Sequence, residues 1–244
     1  MVTSMKAAAV IFDKDGTLID FDAFWVSVSV KAIESVLTQT GMDSGLLAPI
    51  LEAFGVRDGV TDMNGILCKG TYEEMGHIVY GILQKNGCTL TCDDVVKLVL
   101  AAYNQNADAG TVKPTSPKLS EVLTELKEKG VKLAVVTTDN REITCKCLDS
   151  LGVTHLFDHI YTDDGVTPTK PDPFCVYDFC RLTGVEKDAV VMVGDTMTDM
   201  RFAKNAGIPA IGVAKRDENR AVLEPCACAV ISDMTELKSL IGLK

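Results

Sequence analysis

The chain has 244 residues, 47% of them hydrophobic, and a formal net charge of −10. That length allows one large domain or two modest ones with a sizeable core, and the acidic balance argues against nucleic acid or an anionic membrane as the main partner. No apolar stretch approaches the roughly 20 residues of a membrane helix. The apolar run at Ala7 is too short for a secretory leader and lacks a basic segment before it, so a cytoplasmic protein is expected.

That first apolar run, Ala7-Ala8-Ala9-Val10-Ile11-Phe12, stops at Asp13-Lys14-Asp15-Gly16-Thr17-Leu18. It reads as a buried strand delivering two carboxylates to the rim of a sheet. A turn at Gly16 must re-aim one of them if both act on one ligand. The arrangement suits a metal-assisted nucleophile beside an acid/base. Taken alone, it equally fits an acidic strand end or a helix N-terminus capped by Asp.

Residues 20–114 show helical periodicity and no convincing strand. Helices are expected over about 22–40, 44–54, 71–86 and 91–106, with Gly41, Gly55 and Gly87 where stops belong. Thr71 with Glu74 and Thr91 with Asp94 resemble capping boxes. Between Val56 and Gly70 the chain is Gly-rich, mixed in charge and irregular, a composition that often carries binding groups. Arg57 and Lys69 there are candidates for a second anionic group of a substrate, although solvated surface charge is the simpler reading. Phe24 and Trp25 are candidates to line a cleft beside this segment, with simple packing the plainer reading.

From about residue 115, helical patterns alternate with short apolar runs, the mark of a doubly wound parallel α/β sheet. Strands are expected near Val131, Ile160, Val190, Ile211 and Val230. Ser116-Pro117 offers a helix start, after which Leu119, Val122, Leu123 and Leu126 trace one face. Asp139 with Glu142 suggests a capping box for the next helix. Asp172-Pro173 begins a third, and a fourth runs from about Thr196 to Gly207.

Polar groups follow several of these runs: Thr137-Thr138-Asp139-Asn140, Lys170-Pro171-Asp172-Pro173, and Gly194-Asp195-Thr196-Met197-Thr198-Asp199. In an open parallel sheet, ligands sit outside the carboxyl ends of the strands, so these groups can converge there. The ordered set Asp-x-Asp-Gly-Thr, strand-Thr, Lys-Pro and Gly-Asp-x-x-x-Asp resembles the haloacid dehalogenase superfamily. Phe12-Asp13-Lys14-Asp15-Gly16-Thr17-Leu18 and Lys170-Pro171-Asp172-Pro173 are closest in texture to its phosphoglycolate phosphatases.

The resemblance implies a Rossmann-like catalytic core over 1–19 and 115–244 and an inserted all-helical C1 cap over 20–114. The cap would close over the site and expel water. It implies Mg²⁺-dependent hydrolysis of a small phosphate ester through an aspartyl-phosphate. Asp13 would be the nucleophile and Asp15 the acid/base. Thr137 and Lys170 would hold phosphoryl oxygens, with Thr138 a competitor at the strand end and Asn140 a weaker contact. Asp13, the Asp15 backbone carbonyl and Asp195 would hold the metal, with Asp199 beyond them, ligating through water or serving as a first-turn helix acid. Lys14, where many relatives carry leucine, is not expected to touch the phosphate.

The same core also serves sugar-phosphate mutases, and a chain of this kind can persist as a regulatory binding protein without turnover. Dehalogenation fits poorly because Asp15 would have no leaving-group oxygen to protonate, and the resemblance disfavours phosphonate hydrolysis because the family's phosphonate hydrolases lack an acid at the Asp15 position. Nine cysteines with no Cys-x-x-Cys read as reduced, mostly buried thiols. His77, His155 and His159 read as structural or surface residues.

Overall fold

A computed structural model of the chain describes residues 6–242. The contacts divide into two units, one running up to Asp20 and resuming at Val112, the other spanning Phe21–Thr111. Strand β1 (Ala9–Phe12) opens the first unit, with all four residues fully buried. An uninterrupted apolar strand is what a sheet covered on both faces requires.

In the helical unit, a π-helical turn over Asp22–Val26 runs straight into α1 (Ser27–Thr40). Helix α2 (Leu47–Ala53) follows a single 3-10 turn. The segment read as irregular then folds. Strands β2 (Val56–Arg57) and β3 (Val60–Thr61) pair antiparallel across Asp58 and Gly59, both at positive φ as a two-residue hairpin demands. A short α3 (Ile66–Lys69) leads to α4 (Tyr72–Lys85) and α5 (Cys92–Gln105). Thr71 and Glu74 form a complete capping box on α4, and Thr91 caps α5. Helix α5 packs between α4 and α1. Its buried Tyr103 donates to Ser29 Oγ at 2.8 Å, and Ser29 donates onward to the Trp25 carbonyl at 2.8 Å. That chain satisfies two hydroxyls that would otherwise be costly to bury. Arg57 and Lys69 are both exposed, Arg57 pairing with Glu52 at 3.4 Å and Lys69 with Asn64 at 2.5 Å.

The remaining chain runs α6 (Leu119–Glu128), β4 (Lys132–Asn140), α7 (Arg141–Ser150), β5 (His159–Asp163) and α8 (Phe174–Thr183). Next come β6 (Val190–Gly194), α9 (Met197–Ala206), β7 (Ala210–Val213), α10 (Asp217–Leu223), β8 (Ala229–Ile231) and α11 (Leu237–Leu240). Among the described residues the sheet has six parallel strands in the order β5-β4-β1-β6-β7-β8. The chain winds outward from β1 through β4 to β5, then crosses back to β6 on the other side. The switch point therefore lies between β1 and β6, where an open α/β sheet leaves a crevice at the strand C-termini.

Two helix starts differ from expectation. Helix α6 begins at Leu119 with no side-chain cap, Ser116 and Pro117 forming the preceding turn. Helix α7 is capped by Asn140, whose side chain accepts from the Ile143 N–H at 3.0 Å; Asp139 is drawn into an ion pair instead. The nine cysteines are free, yet only Cys147 and Cys175 are fully buried and Cys226 and Cys228 are exposed. No helix among the described residues is long and apolar enough to cross a membrane.

Candidate active site

Asp13 directly follows β1, its N–H still donating to the Val193 carbonyl at 2.9 Å and extending the ladder to β6. The parallel register that sets Phe12 beside Val193 brings Gly194 and Asp195 level with the Asp13 turn. Gly16, at φ +78°, folds the chain back so closely that a Cβ there would lie 2.0 Å from Asp195 Oδ2. Gly194 has the same constraint on the other side, since its Cβ would stand 2.4 Å from the Asp199 side chain. Neither position tolerates a larger residue without displacing a carboxylate. Thr17, fully buried, donates to Asp195 Oδ1 at 3.2 Å.

Lys170 enters from the loop between β5 and α8 and is buried. Its Nζ lies 2.5 Å from Asp13 Oδ1 and 2.7 Å from Asp199 Oδ1. Asp199 also accepts from the Thr196 N–H at 3.0 Å and hydroxyl at 2.6 Å, closing a capping box on α9. Asp199 is thus both a helix-cap acid and a lysine partner. Burial works against the charge on Lys170, but Asp13 and Asp199 outweigh it and hold its pKa above the usual lysine range. Burial pushes Asp13 up to about 7, with Lys170 opposing and Asp199 and Asp15 adding to the rise. Burial, then Asp13 and Asp199, likewise raise Asp195 well above the usual carboxylate range.

A second lysine sits on the opposite side of β1. Lys14 is fully buried, its Nζ 2.7 Å from both oxygens of Asp15 and 3.0 Å from Asp139 Oδ2. Burial opposes its charge, and Asp15 and Asp139 more than offset that. Burial also raises Asp139, with Lys14 opposing. Asp139 reaches this position because β4 changes register at its end: Val136 pairs with Tyr161 but Asn140 with Asp163. Such irregularities re-aim side chains at strand ends. Within that segment Thr137 is buried, its hydroxyl accepting from the Asp139 N–H at 3.2 Å, while Thr138 is exposed.

Asp13, Asp195 and Asp199 present carboxylate oxygens that all lie within 4.8 Å of one another. Lys170 takes Asp13 Oδ1, and Lys170 with Thr196 occupies both oxygens of Asp199. Among the described residues no protein group donates to Asp13 Oδ2 or Asp195 Oδ2. Three close carboxylates with one lysine are short of positive charge, and their all-oxygen donor set suits a hard divalent cation such as Mg²⁺. The residues fit the ion.

These features are those of one family, and the comparisons agree. Residues 7–207 match the model of the haloacid dehalogenase-like hydrolases, and the chain belongs to that family. Within it the chain is phosphoglycolate phosphatase-like and stands with the phosphatases. It is 28% identical to a phosphoglycolate phosphatase of Rhodospirillum rubrum over 96% of this chain and 90% of the relative. It is 33% identical to the pyrophosphatase PpaX of Halalkalibacterium halodurans over 61% and 71%. In fold it matches a HAD-superfamily hydrolase of Geobacter sulfurreducens, with a TM-score of 0.67 at 19% identity over 98% and 100%. It also matches Bacillus subtilis YfnB, ascribed to the HAD hydrolases and bound to magnesium, with a TM-score of 0.69 at 18% identity over 98% and 100%.

Sequence reasoning missed the roles of Lys14 and Asp139. A lysine between two acids at the end of a buried strand was the available signal, since such a residue must find partners or stay out of the core. Its second partner lies 125 residues further along, beyond any local pattern.

Proposed function

We propose that this chain is a Mg²⁺-dependent phosphatase that hydrolyses a small phosphate ester or anhydride through a phosphorylated Asp13. The observation that carries this reading is the placement of Asp13: at the end of the central strand, paired with a buried lysine and beside two further carboxylates. Asp13 and Asp195 would hold the ion directly, with the Asp15 carbonyl. Bound there, Mg²⁺ would supply the positive charge that lets an anionic carboxylate approach an anionic phosphoryl group.

Asp13 then attacks phosphorus through a carboxylate oxygen while Lys170, 2.5 Å from Oδ1, offsets charge on the transferring group. Asp15 protonates the departing oxygen. It next takes a proton from the water that splits the Asp13–phosphoryl bond, regenerating the carboxylate and releasing phosphate. Thr137 would donate its hydroxyl to a phosphoryl oxygen, a role its burial supports over the exposed Thr138. Asn140 has its side-chain oxygen committed to capping α7, so any contact with substrate would use its amide nitrogen.

The relatives' activities suggest phosphoglycolate and pyrophosphate as the first substrates to try. The test is phosphate release from a panel holding both, together with hexose phosphates, with Mg²⁺ and with chelator. Mg²⁺-dependent release concentrated on one compound is the expected result. Movement of phosphate between positions of a sugar, with none released, would replace hydrolysis by a mutase reaction. Silence on the whole panel would point to a binding role.

A further inference from the structure

Buried lysines are rare, and one that is fully buried beside a proposed acid/base calls for an account. We propose that Lys14 is a positioning residue that fixes the Asp15 carboxylate for proton transfer by tying it to Asp139 at the end of β4. This rests on the phosphatase reading above and adds to it a residue that acts through Asp15 rather than on substrate.

The geometry is specific. Asp15 stands on a loop turned by Gly16, and an aspartate on a turn is free to rotate about two side-chain bonds. The Lys14 ammonium removes that freedom, because it lies 2.7 Å from both carboxylate oxygens and so fixes the plane of the group as well as its distance. The ammonium is itself held from the far side by Asp139 at 3.0 Å. The Asp139 carboxylate is fixed in turn by the Asn140 N–H, which donates to its Oδ1 at 2.8 Å, and the Asp139 N–H donates to Thr137 Oγ1. The chain Asp15–Lys14–Asp139 thus links the proton-transfer residue to the strand end that carries the buried threonine. Proton transfer requires hydrogen-bond distance and alignment, so freeing Asp15 costs rate wherever the leaving oxygen needs a proton.

Leaving-group dependence separates this role from general support of the fold. An alkyl phosphate leaves as a strongly basic oxygen and needs the proton; p-nitrophenyl phosphate leaves as a stabilised phenolate and needs it far less. Both would be assayed by kcat/KM, which covers the steps through departure of the leaving group. For Lys14→Met we expect kcat/KM on the alkyl ester to fall at least tenfold more than on the aryl ester. In an Asp15→Asn background the same substitution should leave the alkyl-to-aryl ratio unchanged, since its partner is gone.

Lys14→Met leaves two carboxylates without their cation and can unfold the chain. Asp139→Asn is therefore measured alongside it, as it preserves shape and weakens only the far anchor. It should lower the same ratio about threefold. Equal losses on both esters, or an unchanged ratio in Asp139→Asn when Lys14→Met does not fold, would overturn the proposal. Wild-type protein that releases phosphate from neither ester nor any compound of the panel above would instead remove the phosphatase reading, and this role with it.

Discussion

The two sides of β1 carry lysine-centred clusters that look alike and differ in charge. Toward β6, Lys170 joins Asp13 and Asp199, with Asp195 beside them. Three carboxylates against one ammonium leave a deficit of two positive charges, the charge of a divalent ion. Toward β4, Lys14 pairs with Asp15 and Asp139. On the proposed function, the first cluster would take a divalent ion, whereas the ammonium of the second is paired by its own neighbours. One site would then combine a side that binds with a side that stays still.

The largest effect that would break this comparison is at Asp13. The Asp13→Asn variant keeps the shape but supplies a poor nucleophile, and turnover should fall on the order of 10⁴-fold or more. Substantial residual activity, once deamidation is excluded, would move the nucleophile elsewhere. Lys170→Ala comes next. It removes one donor to the developing charge, worth about 3 kcal/mol of transition-state stabilisation. It also leaves two buried carboxylates unpaired, at a stability cost of roughly 3 kcal/mol or more. That cost should shrink when Mg²⁺ is added, if the ion and the lysine share the same negative charge. A melting temperature insensitive to both would place Lys170 outside the cluster.

The two sides were unequally legible in the sequence. Asp13, Asp195, Lys170 and Asp199 stand in ordered motifs at strand ends, and their convergence followed from the topology of a parallel sheet. The helices with glycine stops and threonine caps were equally readable, because caps are local chemistry. Asp139 was not: its neighbour Asn140 offers α7 the same capping oxygen, and only the register shift between β4 and β5 decides which residue turns inward. The hairpin at Asp58-Gly59 was missed for a different reason. Two-residue strands are too short to show alternation, so the turn residues were the only signal.

Gly16→Ala tests the shared hinge between the clusters. The substitution meets a positive φ and an Asp195 oxygen at 2.0 Å, so a cost of roughly 1–3 kcal/mol is expected. A lowered melting temperature should come with weaker Mg²⁺ protection, since Asp195 must move. Loss of stability with unchanged Mg²⁺ protection would show that Asp195 does not hold the ion.

The smallest effect is a pH dependence, and its sign separates the side that binds from the side that stays still. Asp13 is raised to about 7 and Asp195 is raised well above 3.8, so the metal-free native state holds protons that the unfolded chain has released. Stability from this source is present at low pH and is lost as pH rises toward about 7. The lowered carboxylates, such as Asp158 and Asp233, act in the opposite direction, and their window lies below 3.8. Between pH 5 and 8 the raised Asp13 therefore dominates, and Asp139, also raised, acts in the same sense above 3.8. Metal-free protein should melt lower at pH 7.5 than at pH 5, and Mg²⁺ should raise the melting temperature more at pH 7.5, because it binds the ionised carboxylates. Asp195→Asn should flatten the metal-free trend, whereas Asp139→Asn should leave the Mg²⁺ response in place. An equal Mg²⁺ response at both pH values in the wild type would mean that the ion does not bind at the acids whose protons it should displace.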